Sequence, residues 1–288
     1  MTALEIKAIM VKQPIRAIDI HAHFGKCRGS GFRILDQFMF GEPKVVVQRA
    51  QLAQTSLTMV SPLKALLPRL QGDAFSGNID AAQAVSETDG LLQWVVVNPL
   101  EPRTYRQAEE MLKSPKCVGI KIHPEEHGYL ITERGKAIFK FAARHNAIIE
   151  SHSGEKNSLP ADFVKLANDF PEVKLIISHL GCGWDKDVTH QVRAIQKSKY
   201  GNLFTDTSSA KSIIPNLLEW AVREVGAKHI LYGTDSPLYF APMQRARVDK
   251  ADITYQDKED ILRHNAFRLF GNKLVRSLKK LETEERSG

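Results

Sequence analysis

The stretch that decides the reading is Ile18-Asp19-Ile20-His21-Ala22-His23-Phe24-Gly25. Side chains two apart on a strand share a face. A regular strand here turns Asp19, His21 and His23 to one side and Ile18, Ile20 and Ala22 to the other. Two imidazoles at that spacing reach one metal ion, because a Zn–N bond is only about 2.0–2.1 Å long. A strand with two histidines that merely make hydrogen bonds fits the same residues, so the decision rests on what lies downstream.

Downstream, short apolar runs alternate with helical segments. After a first strand over 17–21, strands are expected at 57–60, 92–97, 118–122, 147–150, 173–177, 203–205 and 229–232. Helices are expected at 43–54, 79–87, 104–112, 132–145, 161–168, 185–198, 213–225 and 255–270. Strands alternating with helices predict a parallel sheet, joined by right-handed crossovers. Apolar strands without alternation have both faces covered. An open doubly wound sheet shares these features, but eight units over about 250 residues favour a closed (β/α)8 TIM barrel. We read one domain over 1–288, with a core at about 15–271 and a C-terminal helical tail at 272–288. Irregular stretches at 24–42 and 62–78 read as loops inserted after strands 1 and 2, at one mouth of the barrel.

Bulk properties narrow the class. Hydrophobic content of 43% and charged content of 25% suit a soluble α/β protein. No apolar run approaches the roughly 20 residues that cross a bilayer, and the first residues do not resemble a signal peptide. Cys27, Cys117 and Cys182 are scattered, without C-x-x-C spacing. A reducing, cytoplasmic setting is expected, with no membrane partner. The net charge is +7, part of it carried by the tail. No nucleic-acid motif accompanies it, so a small-molecule partner is expected and no nucleic acid. Assembly into a homo-oligomer is left open.

Polar residues end most strands: His21, His23, Asn98, His123, His152, His179, Asp206 and Asp235. From His123 onward the steps are 29, 27, 27 and 29 residues, one strand–helix unit each. In a barrel these ends converge on the face where active sites sit. His21, His23, His152 and Asp235 suffice for a metal site, one that suits Zn²⁺ and tolerates Mn²⁺ or Fe²⁺. Such an ion makes hydroxide from bound water near pH 7. Asp235 is expected to bind the ion and take that water's proton, with His179 assisting as acid, base or stabiliser. His123 falls outside a complete ligand set and is expected to touch substrate. Arg28 and Arg103 follow strand ends and are expected to grip a substrate carboxylate. Asp19 is either a partner of a ligand histidine or a satisfied buried acid. Asp206, with Ser208, is expected to order the loop after strand 7.

Six segments together carry a resemblance: Asp19-Ile-His21-Ala-His23, Gly119-Ile-Lys-Ile-His123-Pro124, Glu150-Ser-His152-Ser-Gly154, Ile177-Ser-His179-Leu-Gly181, Tyr232-Gly-Thr-Asp235-Ser-Pro237 and Asn265-Ala-Phe-Arg-Leu-Phe270-Gly271. In this order and at this spacing, the chain resembles the amidohydrolase-related ("amidohydrolase 2") branch of the amidohydrolase superfamily over about 17–271. The resemblance implies a barrel with one divalent metal, usually zinc, on His21, His23, His152 and Asp235, and an acid/base role for His179. In binuclear relatives a strand-4 lysine is carbamylated and bridges two metals. Lys121 lies two residues before the strand end, deeper than such a bridge requires.

The leading expectation is a metal-dependent hydrolase that attacks an ester, lactone or amide of a small, carboxylated substrate. The alternative is a metal-dependent non-oxidative decarboxylase of the same family, disfavoured by the greater length expected of such enzymes. A TatD-like nuclease ranks third, because those carry a strand-4 glutamate that is missing here.

Overall fold

The computed structural model describes residues 14–26, 33–67 and 73–287. The N-terminal lead-in, Cys27 and Arg28 lie outside the described residues. Eight strands form one sheet: β1 Ala17–Phe24, β2 Thr55–Pro62, β3 Leu91–Val96, β4 Cys117–Ile122, β5 Ile149–Ser151, β6 Leu175–Ile177, β7 Leu203–Asp206 and β8 Ile230–Leu231. Each pairs in parallel with the next, in chain order. β8 meets β1 through fewer bonds. Ile20 N donates to Tyr232 O at 3.0 Å, Asp235 N to His21 O at 2.8 Å, and His23 N to Ser236 O at 2.6 Å. Asp19 reinforces the seam by accepting from Thr234 N at 3.1 Å and Thr234 Oγ1 at 2.6 Å. The result is the (β/α)8 barrel expected from the strand count.

One expectation about β1 is corrected. Its register against β2 slips between Asp19 and Ala22, as a β-bulge does by adding one residue to one strand. Below the slip, Ile18 and Ile20 join Leu57, Met59, Leu92, Trp94, Val118, Ile176, Phe204 and Leu231 in a core drawn from seven strands, which is the barrel interior. Phe270 and Leu274 close that core from below. Above the slip, Ala22 and Phe24 pack outward with Val46 and Ala81 of the flanking helices, and His21 and His23 turn inward. A strict alternation cannot place both Ile20 and His21 inside; the extra residue can.

The interior is therefore layered, with apolar side chains below and His21, His23, Lys121, Glu150, Asp206 and Asp235 above. Outside, Val95, Ile120, Ile122, Ile149 and Ile177 pack against helices Ile131–Arg144 and Pro160–Asp169. Each large aliphatic side chain so buried contributes about 1.5–3 kcal/mol. The helix expected over 185–198 begins only at His190. Asp185 and Asp187 accept from the backbone N–H of Asp187 and Thr189, which competes with helix. A helix over Ala241–Asp249, not expected from the sequence, follows β8. Short helices also stand in both insertions, at Arg33–Phe38 and Leu63–Leu66. Among the described residues no helix is long and apolar enough to cross a membrane.

The helix after β8 is tied to helix Leu217–Val225 by one ion pair. Glu219, mostly buried, takes both guanidinium arms of Arg247 and the backbone N–H of Asp252. Arg247 holds the Glu219 carboxyl down at about 2. A carboxylate with a depressed folded-state pKa stabilises the fold above its unfolded pKa and loses that contribution as pH falls through the folded value. Glu219→Gln is expected to cost about 1–3 kcal/mol at pH 7. In thermal melts the gap between the two proteins should close between about pH 4.5 and pH 2.

Candidate metal centre

The upper layer of the barrel opens on a cavity of about 290 Å³. His21 and His23 enter from β1, Lys121 from β4, His123, His152 and His179 from the ends of β4, β5 and β6, and Asp235 from the turn after β8. His179 and Asp235 both hold left-handed backbone, with φ of 74° and 55°. Non-glycine residues pay for that conformation, and it persists where surrounding bonds over-determine it. Here Asp206 Oδ1 accepts from His179 N at 3.1 Å, and His21 O accepts from Asp235 N. Gly154 is required for a different reason. A Cβ there would meet the Cys182 carbonyl oxygen at 2.5 Å, so only glycine lets the loops after β5 and β6 close together.

His21, His23 and Asp235 each bring a ligating atom within 4.8 Å of the other two. His23 Nε2 lies 2.8 Å from Asp235 Oδ1 and His21 Nε2 lies 3.6 Å from it. The other nitrogen of each ring is already held. His23 Nδ1 faces Ser61 O at 3.1 Å. His21 Nδ1 lies 3.0 Å from Asp206 Oδ2 and 2.8 Å from Glu150 Oε1. Each ring proton thus belongs on Nδ1, which leaves a lone pair on Nε2 pointing inward, as a metal ligand requires. The charges agree. Glu150, Asp206 and Asp235 are all buried, and Lys121 is the only lysine or arginine among the described residues lining the cavity. The donor set fits a divalent cation.

The electrostatics follow from burial and these contacts. Burial opposes a charge on Asp235, yet His23 and His21 outweigh it and hold the carboxyl below its usual range. Asp206 is held down in the same way by His21, His179 and Ser208. Burial raises Asp19 to about 7, against the bonds from Thr234 and His21 N. Burial, then neighbouring His152, keep His179 and His123 well below the imidazole range, so both rings are neutral near pH 7. Burial opposes a charge on His21 while Glu150 and Asp206 favour one. Lys121 Nζ, 3.0 Å from Nε2, stands where a second ring proton would lie, so the ring keeps only its Nδ1 proton.

His152 stands apart from the ligand cluster. Its Nδ1 lies 2.9 Å from His179 Nε2, its Nε2 lies 2.7 Å from Glu155 Oε2, and its ring stacks on His123 at 4.0 Å. His179 Nδ1 in turn meets Ser208 Oγ at 2.8 Å, and Ser208 Oγ donates to Asp206. A continuous file Glu155–His152–His179–Ser208–Asp206 results. His123 lines the cavity as expected.

The two arginines expected at substrate fare differently. Arg28 lies outside the described residues. Arg103 does not reach the cavity: it pairs with Glu101 and Asp73 and lies over the Phe75 ring at 4.6 Å. Its position after β3 put it on the correct face, but nearer acids and an aromatic ring claimed it. The structure adds Glu150, Ser61 and Glu155, none of which the sequence reading singled out. Glu150 had a signal, as one acid inside the apolar run Ala147-Ile148-Ile149-Glu150. Its register partner on β4 is Lys121, itself one base inside an apolar run.

A family model described as "Amidohydrolase" matches residues 18–272. A search of curated proteins finds no sequence match. Among solved structures, 2,6-dihydroxybenzoate decarboxylase from Rhizobium superposes with a TM-score of 0.69 at 14% identity, over 88% of this chain and 98% of that one. Dihydroxybenzoic acid decarboxylase from Polaromonas sp. JS666, with bound manganese and 2-nitroresorcinol, gives 0.68 at 16% identity, over 88% and 96%. 5-Carboxyvanillate decarboxylase from Sphingomonas paucimobilis gives 0.64 at 14% identity, over 89% and 99%.

Asp206→Asn should weaken Mn²⁺ binding by about 10–100-fold, because it loosens both His21 and the His179 backbone. A titration against a chromophoric chelator measures it. Arg103→Ala should leave KM within about twofold of the parent, since surface ion pairs of this kind contribute about 0–1 kcal/mol and touch no cavity wall.

Proposed function

The chain belongs to the amidohydrolase family, and we propose that within it the protein is a metal-dependent, non-oxidative decarboxylase of a small carboxylated, single-ring substrate. His21, His23 and Asp235 would hold the divalent ion. His152, expected as a fourth ligand, has both ring nitrogens engaged by Glu155 and His179 and is assigned to the file beside the cavity instead. Mn²⁺ is the first ion to test, given the manganese in the Polaromonas structure, with Zn²⁺ second. When bound, such an ion anchors substrate oxygens and draws off negative charge as the carbon–carbon bond weakens.

The observation that carries this reading is the file beside the cavity. Its contacts between heavy atoms run 2.7, 2.9 and 2.8 Å, and then from Ser208 to Asp206. Every link joins a group that can give a proton to one that can take it, so the file carries a proton from Glu155 towards the cavity. Decarboxylation consumes one proton per turnover: the carbon–carboxylate bond breaks, its electron pair stays on the ring carbon, and a proton from the file replaces the departing CO₂. Glu155, with a side chain 44% exposed, is the end through which solvent replenishes it. Met39, Leu63, Leu66, Leu67 and Leu238 form an apolar wall, which supports a ring rather than an extended polar substrate. The hydrolytic reading uses the same ligands and would spend a proton on its leaving group, but gives the apolar wall no task. The fold likeness to three decarboxylases supports the choice, although one scaffold hosts several reactions.

The Mn²⁺-loaded chain, given 2,6-dihydroxybenzoate and related single-ring hydroxy acids in D₂O, is expected to release CO₂ and leave one deuterium on the vacated carbon. Cleavage of an ester or lactone with solvent ¹⁸O in the product, and no CO₂ from any acid, would sink the proposal. Glu155→Gln is expected to lower kcat by about 10²-fold with KM little changed.

A further inference from the structure

The cavity floor holds a charge pair for which the proposed reaction has no use. Lys121 and Glu150 are register partners on β4 and β5. Their side chains are 1% and 0% exposed, with Nζ 3.0 Å from Glu150 Oε1. The same Nζ lies 3.0 Å from His21 Nε2. An ammonium only donates, so it occupies the lone pair that His21 would offer to a metal. The other Glu150 oxygen, Oε2, is buried without a hydrogen-bond partner. A second donor group also shares His21: His21, His179 and Asp206 bring ligating atoms within 4.8 Å of one another. The barrel thus offers two overlapping cation positions and contains one cation of its own between β1 and β5.

We propose that Lys121 is the resident cation of this centre: its ammonium holds Glu150 and the Nε2 face of His21 in the metal-free chain, competes with an incoming ion for that face, and limits the centre to one ion. The inference rests on reading His21, His23 and Asp235 as metal ligands and is independent of the reaction catalysed. Its physical basis is Coulombic. A fixed positive charge a few ångströms from a divalent ion lowers affinity by more than about tenfold, even at an effective dielectric constant of about 20. Glu150 offsets that charge and keeps the ammonium in place, so the two residues act in opposite directions on the same ion. A merely structural pair would behave differently, because breaking either half would loosen His21 and weaken binding.

The test is a Mn²⁺ titration of the full chain against a chromophoric chelator, giving stoichiometry and affinity for the parent, Lys121→Met, Glu150→Gln and the double variant. The parent is expected to take up one ion. Lys121→Met should bind Mn²⁺ at least about tenfold tighter, Glu150→Gln at least about tenfold weaker, and the double variant within about threefold of the parent. If Lys121→Met does not fold, the comparison moves to the Glu150→Gln background, where removing the ammonium should tighten binding at least about tenfold. A Lys121→Met protein that is folded and binds no tighter than the parent overturns the inference, as does a double variant no tighter than Glu150→Gln. A parent that takes up no Mn²⁺ overturns the metal reading and the inference with it.

Discussion

The structure depends on a layer of charge buried inside a barrel, directly above an apolar plug. His21 sits at its centre, with Nδ1 between Asp206 and Glu150 and Nε2 against Lys121. Buried charges persist only when paired and hydrogen-bonded, and each neighbour of His21 is paired, although Glu150 leaves one oxygen without a hydrogen bond. Asp206 takes the His179 and Ser208 backbone N–H groups as well as the ring. Asp19 spends its oxygens on the seam between β1 and Thr234. The carboxylates still outnumber Lys121, and a divalent cation is the simplest species that restores balance.

The same constraint shapes the backbone. A bulge in β1 lets isoleucines fill the plug while histidines enter the charged layer. Left-handed turns at His179 and Asp235 aim these side chains at the cavity from strand ends that would otherwise carry them past it. Local cost is accepted where several strands converge on one ion-sized space. In the loops above, Arg103, Lys26 and Lys156 settle on the rings of Phe75, Phe40 and Trp184, outside the charged layer.

Much of the fold was legible in the chain, because apolar strands recur at a near-constant period and their last residues carry the chemistry. His21, His23, His123, His179 and Asp235 were all found at one cavity for that reason. Legibility stopped where partners are far apart in sequence. Nothing local to Arg103 announces Asp73, 30 residues away, as its ion-pair partner. Nothing local to His152 announces its contact with His179 instead of the ligand cluster. The helix over Ala241–Asp249 was missed because its polar sequence, with Arg245 and Arg247, finds its reason in distant carbonyls and in Glu219.

The sequence by itself determined the barrel, its order of strands and the identity of the side chains offered at its mouth, since period and composition are local properties of a chain. Tertiary structure alone decided which nitrogen of each histidine is free, that Lys121 and Glu150 face each other, and that a slip in register turns His21 and His23 inward. These are matters of a few ångströms between residues as many as 185 positions apart, as from His21 to Asp206. Hydrogen bonds and buried charges are decided at that scale, where direction and distance count for more than residue type.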